Sequence, residues 1–134
     1  MKKITLFTLL LSLGLSAVKV NAEQSQSYKL ITVSTYLNFY LMNLNACEDF
    51  HPSTRAEAYK AEGQLYPFFE RLDAKVKALD INADDKKAIK NTVTARRAKL
   101  NKQIADGEFT LEHCKAVIGL VNEGLDETLL SSIK

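Results

Sequence analysis

Tryptophan is absent from this 134-residue chain, and glycine and proline are scarce, with five and two copies. So few breakers leave little to mark strands and turns, which points away from sheet folds and toward helices. No glycine-rich loop is present to cradle a phosphate, and no C-x-x-C-H to attach a haem. No serine stands in a recognisable nucleophile setting. These absences argue against an enzyme and against a bound cofactor. Cysteine and histidine number two each, confined to N-A-C-E-D-F-H-P at 45–52 and E-H-C-K at 112–115.

The chain opens M-K-K, followed by an apolar run from Ile4 to Leu15. Val20-Asn21-Ala22 then offers residues that a signal peptidase reads. Residues 1–22 are therefore expected to be a cleaved signal peptide, and residues 23–134 a single domain. The apolar run falls short of the roughly 20 residues a transmembrane helix needs, so no membrane span is expected after cleavage. Loss of Lys2, Lys3 and Lys19 with the signal leaves 15 basic residues against 16 acidic ones. That balance removes any global case for nucleic-acid binding. A periplasmic or secreted location is the expectation.

From Leu30 the residues Leu30, Val33, Leu37, Tyr40, Leu44 and Cys47 recur at spacings of three and four, one face of a helix. E-Q-S-Q-S-Y at 23–28 reads as a loose lead-in. No charge falls between Lys29 and Glu48, so this helix is expected at the centre of the fold. His51-Pro52 ends it, because the residue before proline is pushed out of the helical region. A second helix is expected from Thr54, in a capping-box arrangement with Glu57. Its seam runs through Ala58, Ala61, Leu65, Phe69, Leu72, Val76 and Leu79. Pro67 predicts a kink or break around residues 63–67, since its ring strikes the carbonyl of Gly63. Residues 80–85 predict a turn, with Asn82 as the N-cap of a third helix. That helix turns Ile89, Val93, Leu100 and Ile104 inward, runs to about Ala105 and stops at Asp106-Gly107. A fourth helix, capped near Thr110, carries Leu111, Cys114, Ile118, Val121 and Leu125 on one seam. Gly119 and Gly124 lie off that seam and suit a close helix contact. The expected fold is all-α, a single-domain up-down-up-down four-helix bundle with one disulfide.

Cys47 falls in the last turn of the first helix and Cys114 in the first turns of the fourth. In such a bundle these helices are antiparallel neighbours, so both cysteines reach the same end on inward seams. In an exported protein this predicts a Cys47–Cys114 disulfide. A Cys2His2 zinc site needs four ligands converging on one ion. His113 and Cys114 are adjacent and point about 100° apart on a helix, and oxidation would remove both thiolates. Glu48-x-x-His51 has the spacing that di-iron bundles use, but no second copy accompanies it. Glu48, His51 and His113 remain as an alternative set for a single metal or a small ligand. The expectation is the disulfide, with no metal.

Lys86, Lys87, Lys90, Arg96, Arg97, Lys99 and Lys102 put seven cations on the third helix with no acid among them. The fourth helix and its flanks lean the other way, through Asp106, Glu108, Glu112, Glu123, Asp126 and Glu127. The basic run suits an acidic partner or an anionic envelope surface. It also suits a solvated face answered by the acids of a neighbouring helix. Tyr36, Phe39 and Tyr40, and then Tyr59, Tyr66, Phe68 and Phe69, occupy more sides than one core takes up, the composition of a partner interface or of a core with tyrosine hydroxyls at its rim. Small exported helical immunity proteins and envelope chaperones are similar in size, export and disulfide use, a likeness of type that carries no residue over. The expected function is a non-enzymatic protein-binding module such as an inhibitor, immunity factor or chaperone. Lys86, Lys90, Arg96, Arg97, Tyr59 and Tyr66 are its candidate contacts with another envelope or exported protein.

Overall fold

The computed structural model describes residues 2–79 and 82–134, with side chains from residue 26 onward. Among them the chain forms α1 (Lys2–Phe50), α2 (Arg55–Ala78), α3 (Ala83–Ala105), α4 (Leu111–Glu123) and the single-turn α5 (Glu127–Leu130). Two 3₁₀ turns lie at Pro52–Thr54 and Ser131–Ile133. α1 is the hub, packing on α2, α3, α4 and α5, while α2 also meets α4. The predicted seam accounts for this position: Leu30, Val33, Leu37, Tyr40, Leu44 and Cys47 are all buried. Burying each large apolar side chain contributes about 1.5–3 kcal/mol, so the charge-free stretch of α1 between Lys29 and Glu48 turns inward at the centre of the fold.

α1 starts well before Leu30. Residues 23–28, expected to be a loose lead-in, are helical and continuous with Lys2 onward. No proline precedes Pro52, and Glu, Gln and Ser interrupt a helix far less than proline or glycine do. The side chains of the expected signal segment lie outside the described residues. At the other end the helix stops at Phe50, immediately before His51-Pro52, as the proline requires.

Thr54 is the N-cap of α2, but the capping box does not form. The Pro52–Thr54 turn swings its hydroxyl backward, where it donates to the His51 carbonyl at 2.8 Å. α2 runs unbroken through Pro67. Gly63 and Pro67 are both on the exposed side, so the carbonyl left without its N–H partner faces water and not the core. Ala58, Ala61, Leu65 and Leu72 bury as the seam predicts. Leu79 is exposed, because it sits at the C-cap, past the helical face.

Asn82 caps α3, its Oδ1 accepting from the Asp85 N–H at 2.9 Å. Asp80 and Ile81, the start of the expected turn, lie outside the described residues. Gly107, at φ +74°, closes the C-terminus: its N–H donates to Ile104 O and that of Glu108 to Gln103 O. This pair of bonds is a Schellman closure, which needs the left-handed conformation that glycine adopts without strain. α3 sits shallowly on α1, with only Leu100 fully buried and Ile89, Val93 and Ile104 half-buried.

Thr110 caps α4 by accepting from the His113 N–H. Gly124, at φ +112°, ends it, so Leu125 falls beyond the helix. A Cβ at Gly119 would meet nothing within 4 Å, so the close helix contact expected there is not made. Residues 126–134 have no expected structure, yet they fold back on the body. Asp126 caps α5 and gives its own N–H to the Tyr36 hydroxyl at 3.0 Å, while Leu130 and Ile133 bury against α1 and α2.

Candidate functional site

The end of the molecule where α1 meets α4 is held by the Cys47–Cys114 disulfide, with Cα atoms 5.7 Å apart and both residues fully buried. Both histidines lie beside it, and both are engaged. His51 Nε2 is 2.8 Å from the Phe109 carbonyl, which only accepts, so that nitrogen carries the proton. His113 Nε2 is 2.7 Å from Asn43 Oδ1, while the Asn43 amide nitrogen donates to Phe39 O at 2.8 Å. The buried Asn43 therefore fixes the His113 tautomer as well. The Phe109 ring packs against both imidazoles, with centroids 5.7 and 5.1 Å away. Burial pushes the His113 imidazole below its ordinary range, favouring the neutral ring. Among the described residues no three His, Cys, Asp or Glu side chains gather as metal ligands, and Glu48 turns to Glu62 on α2 instead of to the histidines.

A second feature runs along the outer side of α1. Tyr28, Ile31, Thr35, Tyr36, Phe39 and Tyr40 line a groove of about 540 Å³, bounded by Arg96 of α3 and Leu129 of α5. Thr32 and Thr35 give their hydroxyls to the carbonyls of Tyr28 and Ile31 in their own helix. Both hydroxyls are therefore satisfied within α1. Tyr36 and Phe39 pack edge-on to Tyr40, with ring centroids at 5.0 and 5.3 Å. Burial and the Tyr36 hydroxyl push Tyr40 up to about 12, so it stays a neutral donor.

Arg96 is the α3 cation that reaches this groove. All seven cations of α3 are exposed. Among the described residues one ion pair forms, Lys102 with Asp106 at 2.7 Å, within one turn of the same helix end. The acids of α4 form no ion pair with the other six, α3 making its main contacts with α1.

The third feature is a pair of carboxyls. Glu48 on α1 and Glu62 on α2 face each other, each with one oxygen sealed from solvent and without a donor. The exposed Tyr66 gives its hydroxyl to the other Glu62 oxygen at 2.7 Å.

No protein-family model, curated protein or solved structure matches the chain. Function therefore rests on these side chains alone. The six candidate contacts do not form one patch. Arg96 reaches the aromatic groove. Lys86 lies at a separate crevice of about 220 Å³ with Phe69, Leu72 and Val76 of α2. Lys90 and Arg97 are exposed on α3, and Tyr59 and Tyr66 stand on α2, outside both grooves. The groove itself had a sequence signal: Tyr28, Ile31, Thr35 and Phe39 follow at spacings of three and four, a second stripe beside the core seam. Asn43 and the Glu48–Glu62 pair carry no such signal.

Proposed function

We propose that this is an exported, non-enzymatic protein-binding module, acting as an inhibitor, immunity factor or chaperone toward an acidic exported or envelope protein. Its framework is read as an up-down-up-down four-helix bundle of α1 to α4. The packing of α1 on both α2 and α4 and the short connections between successive helices support that reading, while α3 makes its main contacts with α1. Cleavage after Ala22 would leave a chain beginning at Glu23 in the periplasm or outside the cell. The Cys47–Cys114 disulfide suits such a non-reducing compartment.

The observation that carries the binding role is the aromatic groove of α1 bounded by Arg96 of α3, a helix on which six cations form no ion pair among the described residues. Charges without local partners cost little to leave in water and steer an oppositely charged surface toward them. Tyrosine and arginine beside an apolar hollow are the residue types that dominate binding energy at interfaces. The partner places apolar side chains in the groove and carboxylates along α3. Capture of the tagged protein's partner from envelope extract tests this. The captured protein is expected to be acidic, to elute with salt, and to be lost by an Arg96→Glu/Arg97→Glu variant of unchanged thermal midpoint. Capture that survives charge reversal and high salt removes α3 from the interface.

A further inference from the structure

Glu48 follows Cys47 directly, in the last turn of α1, and faces Glu62 on α2. Glu48 Oε1 and Glu62 Oε2 are both closed to solvent, and neither has a hydrogen-bond partner. Two ionised carboxylates cannot satisfy one another, since each only accepts and both carry the same charge. One proton changes the pair into a carboxylic acid donating to a carboxylate, a strong charge-assisted hydrogen bond.

The surroundings do not relieve the pair in any other way. Asp49 adds a further negative charge on α1. Arg55, the facing cation, gives its Nε–H to the Glu48 backbone carbonyl at 3.1 Å and not to either carboxylate. On α2, Tyr66 donates to Glu62 Oε1, and Tyr59 stands near Tyr66. No charged group of α3 or α4 acts on Glu48. Burial, then the hydrogen bond and charge of Glu62, then Asp49, push the Glu48 carboxyl up to about 7 against the opposing pull of Arg55.

We propose that Glu48 and Glu62 hold one proton between them and form a proton-gated clasp between α1 and α2. With the proton in place the two helices are tied together next to the disulfide. Without it the carboxylates repel, and the α1–α2 contact loosens there while Cys47–Cys114 keeps α1 on α4. Tyr66 carries this state to the surface, because its half-exposed ring is held through Glu62. The clasp belongs to the fold and does not rest on the binding role proposed above.

The test uses the oxidised full chain in the presence of chelator, so that no cation replaces the proton. Carbon-13 spectra of labelled glutamate follow the Glu48 carboxyl, and amide hydrogen exchange, corrected for its intrinsic pH dependence, follows residues 44–50 and 58–66. Glu48 is expected to titrate near 7. Protection in both segments is expected to fall severalfold as pH rises through that value. In Glu62→Gln the Glu48 titration returns toward the ordinary carboxylate range, and the pH-dependent loss of protection disappears. Glu48→Gln removes the same loss, which covers the case of a poorly folded Glu62 variant. Glu48 titrating in the ordinary range in the unmodified protein overturns the clasp, as does a loss of protection that persists in both glutamine variants. No partner enters either measurement, so failure of partner capture and failure of the clasp are separate results.

Discussion

Reduction of the Cys47–Cys114 bond is the sharpest test of how this small fold is held together. The bond joins residues separated by 67 positions. A cross-link closing a loop of that length stabilises by about 4 kcal/mol when its effect is assigned to the entropy of the unfolded chain. A domain of this size has a total stability of about 5–15 kcal/mol, so reduction removes a large fraction of it. Reduction leaves both sulfurs in the core, so it separates the cross-link from the packing. A Cys47→Ala/Cys114→Ala variant adds a packing loss of about 1 kcal/mol at each fully buried site. α4 keeps other attachments: Val117, Ile118 and Val121 in the core, the His113–Asn43 bond, and Gln64 to Asn122 at 3.0 Å. The reduced protein should therefore remain folded and helical, but marginal. Urea denaturation followed by far-ultraviolet circular dichroism should give midpoints falling from oxidised to reduced to double-alanine protein. The slope should rise once the unfolded chain loses its cross-link and exposes more surface. A difference below about 1 kcal/mol between oxidised and reduced protein refutes the chain-entropy argument. Two free thiols in the native protein refute the bond itself.

Ile133→Ala should cost about 2–5 kcal/mol in thermal or urea denaturation, as much as a central substitution such as Leu37→Ala. A negligible cost would show that the tail is not part of the core. The glycines separate by conformation: Gly107→Ala, at φ +74°, should destabilise by about 1–2 kcal/mol. Gly119→Ala, in a helix with open space at its Cβ, should be neutral or stabilising by up to about 1 kcal/mol. Two groups give pH dependence of opposite sign. His113 is pushed down by burial, so the unfolded chain takes its proton first; its contribution is complete above about 6.5 and is lost as pH falls below that value. Glu48 is pushed up to about 7, so its contribution is complete below its ordinary 4.5 and is lost as pH rises toward and through about 7. Stability curves of His113→Gln and Glu48→Gln should each lack one of these slopes; a variant that keeps both shows that its group was wrongly assigned.

The local grammar of the chain was open to reading because caps and stripes are relations between residues at most four or five positions apart. Helix geometry alone sets those distances. Asn82, Thr110 and the Asp106-Gly107 stop act where their residue types indicate. The α1 and α4 seams bring Cys47 and Cys114 together because each points along the apolar face that packing must bury. The failures were of other kinds. The Thr54 hydroxyl was captured by the preceding turn, and residues 126–134 are too short to show a period, although Gly124 and the capping Asp126 mark their turn.

Sequence alone thus determined that the chain is helical, where most of its helices end, and which two cysteines join. Tertiary structure decided that Glu48 meets Glu62, that Asn43 holds His113, that Arg96 rather than Lys86 bounds the aromatic groove, and that the α3 cations go unanswered by α4. Each of these contacts depends on how one helix is rotated and placed against another. Successive residues differ by about 100° around a helix, so a small change in that rotation replaces one facing side chain with its neighbour. No local pattern specifies that angle. It is set by the packing of all the seams at once.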